Sequence, residues 1–170
     1  MTPTINLSLL DQNDIEEIVQ AFHNIGWNKP KSLYETYLIE QLHEKRTIFI
    51  AKIDGHFCGY VTIKWEADYP FFKENGIPEI SDLNVLPSNR NQGIGTALIK
   101  TCEKLTNKRG LNSIGLGVGL TADYGTAQKL YVNLGYIPDG FGLFYMNSPV
   151  QYGNQVIVDD DLVIYLYKKI

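Results

Sequence analysis

The chain is poor in the residues that staple, coordinate or span. Of its 170 residues only two are cysteine, Cys58 and Cys102. They form no C-x-x-C pair and belong to no His/Cys cluster, so a disulfide framework and a zinc site are not expected, nor any other metal. Both read as small buried hydrophobes. The three histidines, His23, His43 and His56, share no partner pattern and read as structural residues. No stretch approaches the roughly 20 apolar residues that a membrane span needs. Met1-Thr2-Pro3-Thr4 lacks the basic-then-apolar order of a secretory leader, so the expectation is a cytoplasmic protein with no membrane partner. Positive charge is scarce as well: 15 Lys and Arg against 19 Asp and Glu leave a net charge of -4. That excludes a nucleic-acid footprint and suits a cationic small substrate, although so small a charge decides little. Repeats, low-complexity tracts and linkers are missing. Residues 1–170 therefore read as a single domain, long enough for a real core.

What is present is an ordinary globular balance, 44% hydrophobic and 20% charged, enriched in aromatics with 11 Tyr and 7 Phe. Residues 5–10 alternate weakly as a first strand. Asp11 is a plausible N-cap for a helix to His23, with Ile15, Ile18, Val19 and Phe22 on one face and Gly26 after its end. Pro30 sits just inside a second helix, where Leu33, Tyr34, Tyr37, Leu38 and Leu42 repeat at helical spacing. Residues 47–53 and 56–65 are β-rich around Asp54-Gly55, a strong two-residue hairpin signal. Residues 66–78 read as a loop. Residues 79–86 form the next strand, whose alternation slips between Ile80 and Leu83. A bulge explains the slip and would splay this strand from a neighbour. A helix to about Lys108, a buried strand over 111–120, a helix over 122–134 closed by Gly135, and strands over 141–146 and 162–167 complete the chain. Hairpins come first and strand–helix alternation later, which gives a mixed α/β or α+β sheet.

The most informative segment is Arg90-Asn91-Gln92-Gly93-Ile94-Gly95-Thr96. It leads from a strand through glycines into an amphipathic helix. The first amides of a helix have no partner within it and lie at the positive end of its dipole, so such a turn holds anions. Glycine lets a phosphate approach the main chain. A Walker A loop would need Lys after the second glycine, and here Gly95 is followed by Thr96-Ala97. A dinucleotide fingerprint would need a third glycine where Leu98 stands, near the start of a strand–helix–strand unit. Neither fits. Gly115, Gly117 and Gly119 lie inside a strand pattern, which points to close packing by a backbone or a ligand.

Two blocks of residues resemble a known family. Arg90-x-x-Gly93-x-Gly95 after Leu83-Asn84-Val85 is similar to the acyl-CoA signature of the GNAT superfamily of N-acetyltransferases. Ala127-x-x-Leu130-Tyr131-x-x-Leu134-Gly135-Tyr136 is similar to the later helix and closing turn of that family. The resemblance covers residues 47–146 well and the two N-terminal helices loosely. It implies a splayed, mostly antiparallel mixed sheet of about six to seven strands flanked by about four helices. It implies acetyl-CoA as acetyl donor, with the pantetheine arm on the main chain of Leu83 and Val85. The pyrophosphate would lie on the amides of Gln92, Gly93, Ile94, Gly95 and Thr96, with Asn91 in the same turn. Arg90 would pair with a phosphate. The family often has Asn where this chain carries Tyr124, here taken as a cofactor contact. The final aromatic is Tyr136 rather than the commoner Phe.

Acetylating an amine requires a base for its proton, a donor for the oxyanion and an acid for the thiolate. The resemblance implies Tyr131 as the acid and as a thioester contact; the plainer alternative is a half-buried aromatic on an amphipathic helix. It implies Glu79, six positions before Val85, as the base, with Asp82 and water as rivals. The Val85 N–H is the expected donor to the thioester carbonyl. Neither cysteine lies in these motifs, so direct attack in a ternary complex is expected rather than a thiol intermediate. Trp65, Glu66, Asp68, Tyr69 and Phe71, with Trp27, are candidates for a substrate lip around an amine. Asp159-Asp160-Asp161 reads as a solvated turn before the last strand, with attraction of a cationic substrate as the alternative. The expected acceptor is a small-molecule amine, with a protein amine as the alternative; a non-catalytic acyl-CoA sensor is the rival function. A homodimer through the C-terminal strands is compatible with the pattern.

Overall fold

The hairpin at Asp54-Gly55 pairs Ile53 with His56 and Lys52 with Phe57, after which a bulge at Cys58 shifts the register so that Ala51 faces Gly59. Asp54 and Gly55 both have positive φ, 51° and 82°, as a type I′ turn requires. The structure, a computed structural model, describes residues 4–170. Its strands are β1 (Ile5–Leu9), β2 (Arg46–Ile53), β3 (His56–Lys64), β4 (Glu79–Val85), β5 (Ser113–Gly119), β6 (Ile137–Tyr145), β7 (Ser148–Pro149) and β8 (Leu162–Lys169). Its α-helices are α1 (Ile15–Asn24), α2 (Lys31–Leu42), α3 (Pro70–Glu74), α4 (Ile94–Lys108) and α5 (Gly125–Asn133). The eight strands form one mixed sheet in the order β1-β2-β3-β4-β5-β8-β6-β7. The β1–β2, β2–β3, β5–β8, β6–β8 and β6–β7 pairs are antiparallel, and β4–β5 is parallel.

The described residues thus hold eight strands and five α-helices, against the expected six to seven and about four. The extra strand, β7, has two residues, too few to show a period. The extra helix, α3, lies in the segment read as a loop. Pro70 at its first turn fits a helix start, but five residues are too few for helical periodicity. Gly140 and Gly142, at φ 92° and 80°, hid the first half of β6. Pro30 caps α2 rather than sitting inside it. Leu42, counted on the apolar face of α2, is 75% exposed.

The chain groups into two compact units, and β4 contributes to both. The first comprises residues 1–65 and 81–102. Asp11 caps a 3-10 turn, Gln12–Asp14, that leads into α1, rather than α1 itself: its carboxylate accepts from the Asn13 N–H while Asp14 accepts from the Asp11 N–H. The apolar face of α1 (Ile15, Ile18, Phe22) then packs with Tyr34 of α2 and with Ile48, Ile50, Phe57 and Tyr60 of the β2–β3 hairpin. Each fully buried side chain of this size contributes about 1.5–3 kcal/mol.

The second unit comprises residues 66–80 and 103–170. Its core joins Ala67, Tyr69, Phe72, Ile77, Phe144 and Tyr165. Tyr69 and Tyr165 stack with ring centroids 3.6 Å apart. The three glycines of β5 make this packing fit. A Cβ on Gly115 would meet the Phe72 ring at 2.3 Å, one on Gly117 the Tyr165 ring at 3.1 Å, and one on Gly119 the Tyr124 ring at 2.5 Å. The close approach expected there is made by aromatic rings.

A candidate acyl-CoA site on a kinked strand and a glycine turn

The slip in alternation along β4 has a backbone cause. Asp82 adopts a left-handed conformation, φ 50°, in the middle of the strand. Few residues other than glycine tolerate this; Asp is among the better ones. The parallel ladder with β5 consists of Glu79 with Gly115 and Ile80 with Leu116, and it ends before the kink.

Beyond the kink the strand runs close to β3. A Cβ on Gly59 would lie 2.6 Å from the Asn84 carbonyl oxygen and 3.2 Å from the Val85 Cα. The Leu86 N–H donates to the Cys58 carbonyl at 2.9 Å. Successive residues of a strand turn their N–H groups to opposite sides. The N–H of Val85, and that of Leu83 one repeat earlier, therefore face away from β3. They are main-chain groups that a ligand could engage.

The chain then passes a short 3-10 turn, Pro87–Asn89, and enters the glycine turn. Asn91 has φ 60° and Gly93 φ 82°, so the backbone reverses sharply. Asn91, Gln92 and Gly93 are exposed, whereas Ile94, Leu98, Ile99 and Cys102 are buried and anchor α4. The first rung of the helix is Ala97 N–H to the Gly93 carbonyl, 2.9 Å. The amides of Ile94, Gly95 and Thr96 precede that ladder, at the positive end of a 15-residue helix. Nothing lies within 4 Å of the position a Gly93 Cβ would take. Amides at a helix mouth beside open space match a diphosphate in charge and in hydrogen bonding. Arg90 is exposed; its guanidinium lies 5.9 Å from the Trp27 ring centroid, and its Nε donates a long bond to the Val85 carbonyl, 3.4 Å. Trp27, half-buried, also stacks on Phe22 at 5.7 Å.

Asp82 carries more interactions than the sequence suggested. Lys29 Nζ donates to its Oδ1 at 2.8 Å and Asn84 Nδ2 to the same oxygen at 2.7 Å. Tyr37 and Tyr60 donate their hydroxyls to Oδ2, Tyr37 at 2.9 Å. Burial opposes the charge of Asp82, but the Lys29 ammonium and the tyrosine donors outweigh it and hold the pKa below the usual 3.8. Burial and the same carboxylate push the Tyr37 and Tyr60 phenols upward. Lys29 also donates to the Tyr60 hydroxyl at 2.9 Å and lies 5.7 Å from the Phe22 ring centroid. Nothing in the spacing of Lys29, Tyr37 and Tyr60 along the sequence announces this convergence. The slip at Asp82 was the one visible sign.

The other site residues singled out from the sequence, Trp65 excepted, lie in the second unit. Tyr131 of α5 is 7% exposed, and burial, then Tyr124, pushes its phenol up to about 12. Its ring meets Tyr136 edge-on at 6.1 Å. Tyr124 covers Gly119 and donates to Asp160 at 2.8 Å, so Asp160 is a hydrogen-bond acceptor within the acidic turn. Glu79 is half-buried at the start of β4. Of the residues grouped as a substrate lip, Glu66 and Asp68 are exposed, and Glu66 pairs with Lys73 at 2.6 Å. Tyr69 is a core ring, 1% exposed, whose hydroxyl donates to Asp139. Trp65, in the first unit, donates its indole N–H to Thr47 at 3.0 Å. Among the described residues no group of His, Cys, Asp and Glu is arranged to hold a metal, and no helix is long and apolar enough to cross a membrane.

Comparison with known proteins bears on the family and the fold. A model of the Acetyltransferase (GNAT) family matches residues 13–136. No curated protein matches the chain. Among solved structures, an N-acetyltransferase from Staphylococcus aureus Mu50 is similar over 98% of this chain and 98% of its own, at 14% identity and a TM-score of 0.72. The PaiA N-acetyltransferase of Thermoplasma acidophilum, solved in complex with coenzyme A, is similar over 98% and 99%, at 16% identity and 0.68. The ribosomal-protein-S18-alanine N-acetyltransferase of Escherichia coli is similar over 98% and 94%, at 16% identity and 0.68. At these identities the likeness is one of fold, and the family match covers most of the chain. The family model spans more than half of the chain, so the chain belongs to the GNAT acetyltransferase family, whose acyl donor is acetyl-CoA.

Proposed function

We propose that the protein transfers the acetyl group of acetyl-CoA to a primary amine of a small molecule, by direct attack in a ternary complex. The observation that carries this reading is the pairing of a kinked strand with a glycine turn in one unit. The amides of Ile94, Gly95 and Thr96 would receive the diphosphate, with Gln92 and Gly93 beside them and Arg90 as a charged partner. The outward N–H groups of Leu83 and Val85 would pair with the pantetheine arm, and Val85 would polarise the thioester carbonyl.

The acceptor nitrogen attacks the carbonyl carbon, the C–S bond breaks, and the electron pair leaves with sulfur. Glu79 takes the acceptor's proton, directly or through water. Tyr131 donates a hydrogen bond to the departing thiolate. A phenol raised to about 12 stays protonated at neutral pH, so its proton is in place to hydrogen-bond the departing sulfur. A thiolate, with an ordinary pKa of about 8.5, is a weaker base than this phenolate, so the donor acts by stabilising the developing thiolate and the sulfur is finally protonated from solvent. The single-domain, cytoplasmic and small-molecule readings belong to the same proposal. Release of free thiol from acetyl-CoA, measured against a panel of polyamines, amino-acid derivatives, aminoglycosides and peptides with free N-termini, tests it. Turnover with small amines supports it. Turnover with peptides alone moves the acceptor to protein amines, and binding of acetyl-CoA without turnover moves the protein to a sensing role.

A further inference from the structure

The mechanism above leaves one set of half-buried polar groups unused, the one converging on Asp82. We propose that Asp82 is a positioning residue, whose carboxylate clamps the left-handed kink of β4 and so fixes the main chain of Leu83–Val85 for the acyl donor. The proposal rests on the acyl-CoA reading for its function but on geometry for its mechanism.

The backbone at Asp82 is in a conformation that an L-residue adopts at a cost, φ 50°. Such a conformation persists where its surroundings over-determine it. Here the surroundings come from three separate segments of the first unit. Lys29 belongs to the connection between α1 and α2, Tyr37 to α2, and Tyr60 to β3. A fourth donor, Asn84, lies two residues further along β4 and reaches back across the kink to both the Asp82 side chain, 2.7 Å, and its carbonyl, 3.2 Å. The Asn84 bonds bridge the bulge locally, and the other three tie it to the rest of the unit.

Only one face of the strand remains for a ligand. β3 closes the other so tightly that Gly59 has no room for a methyl group. A shift of the kink therefore moves the outward N–H groups of Leu83 and Val85, because the strand cannot yield toward β3. The Lys29–Asp82 ion pair has side chains only 20% and 21% exposed, so solvent screens it weakly.

Three substitutions separate clamp from backbone. Asp82→Asn keeps a residue that tolerates positive φ and can still accept from the tyrosines, but it turns an amide N–H toward Lys29 and Asn84 and so gives up those two bonds. Asp82→Gly removes the conformational cost and the clamp together. Asp82→Ala removes the clamp and keeps the cost. Calorimetric titration with coenzyme A should give Asn weaker than wild type by severalfold, as for loss of the Lys29 anchor alone, and Gly and Ala weaker by about tenfold or more, Ala the weakest. Hydrogen exchange at the Leu86 amide, bonded to Cys58 just beyond the kink, should speed up in the same order. Unchanged affinity in folded Gly and Ala variants overturns the proposal, since a purely structural role would cost stability alone. If Asp82→Ala fails to fold, Lys29→Met and Tyr37→Phe each remove one anchor and should weaken binding severalfold; wild-type affinity in both overturns the clamp. If wild-type protein itself gives no heat with coenzyme A, the acyl-CoA reading fails. The exchange data then still judge the clamp, and uniform Leu86 protection refutes it.

Discussion

Gly59→Ala should damage both stability and the donor strand. The added Cβ would lie 2.6 Å from the Asn84 carbonyl oxygen and 3.2 Å from the Val85 Cα, where ordinary contact begins at 3.4 Å. Both obstructing atoms are backbone, so no rotamer change relieves the clash. β3 and β4 must separate or twist. Overpacking of this kind costs about 1–3 kcal/mol. For a chain of this length, that lowers the melting temperature by roughly 2–12 °C. The displaced atoms include Val85, whose N–H is assigned to the thioester carbonyl. The specific activity of the folded enzyme should therefore fall as well, with a larger loss in kcat/KM than the unfolded fraction explains. Gly125→Ala is the control: it lies at the start of α5 with nothing within 4 Å of a Cβ, and it should be neutral or slightly stabilising. Thermal denaturation followed by initial rates at a temperature where both variants are folded gives the answer. A Gly59→Ala protein within about 0.5 kcal/mol of wild type, with normal kcat/KM, would refute the close-approach argument.

Three other perturbations have defined outcomes. Tyr131→Phe should lower kcat by about 10²-fold or more while leaving coenzyme A affinity unchanged; an unaltered kcat would remove Tyr131 from the acid role. Gly93→Val should weaken coenzyme A binding about tenfold and cost about 1–2 kcal/mol, because φ 82° suits glycine while the space around it is open; calorimetry and melting curves separate the two effects. The pH dependence of stability follows from the lowered pKa of Asp82. The charged form is favoured in the folded state, so its contribution is present above the unfolded value near 3.8 and is lost as pH falls through the folded value. Wild type and Asp82→Asn should therefore differ in stability at neutral pH and converge in acid. A constant difference across that range would show that the Asp82 charge is not what stabilises.

Much of the fold could be read from local rules, because the signals concerned are local. Asp11, Asp54-Gly55, Gly135 and the helical spacing of α1 and α4 each act within a few residues, and the structure has the corresponding cap, turn, stop and helices. The kink in β4 was visible because side-chain alternation reports backbone pleat directly. What escaped depends on distant chain. Lys29, Tyr37 and Tyr60 meet Asp82 across sequence separations of 53, 45 and 22 residues, and no periodicity encodes such a meeting. The aromatic segment around Tyr69 looked like a surface lip because aromatics beside acids read alike whether they face solvent or a core. Only the stack on Tyr165 and the bond to Asp139 reveal which. Arg46 is a similar case: an arginine at a strand start, buried at 8% exposure, it bridges Glu40, Thr62 and Ser81.

A ribbon without side chains on one face cannot hold itself in a core. β5 borrows its filling at three alternate positions from Phe72, Tyr165 and Tyr124, which arrive from three other parts of the second unit. Until those rings dock, that side of the strand is naked peptide, and its burial waits on the rest. The strand should thus acquire protection late, as a template finished by its visitors. Glycine and ring must also vary together: enlarging one without trimming the other leaves two groups competing for a single volume.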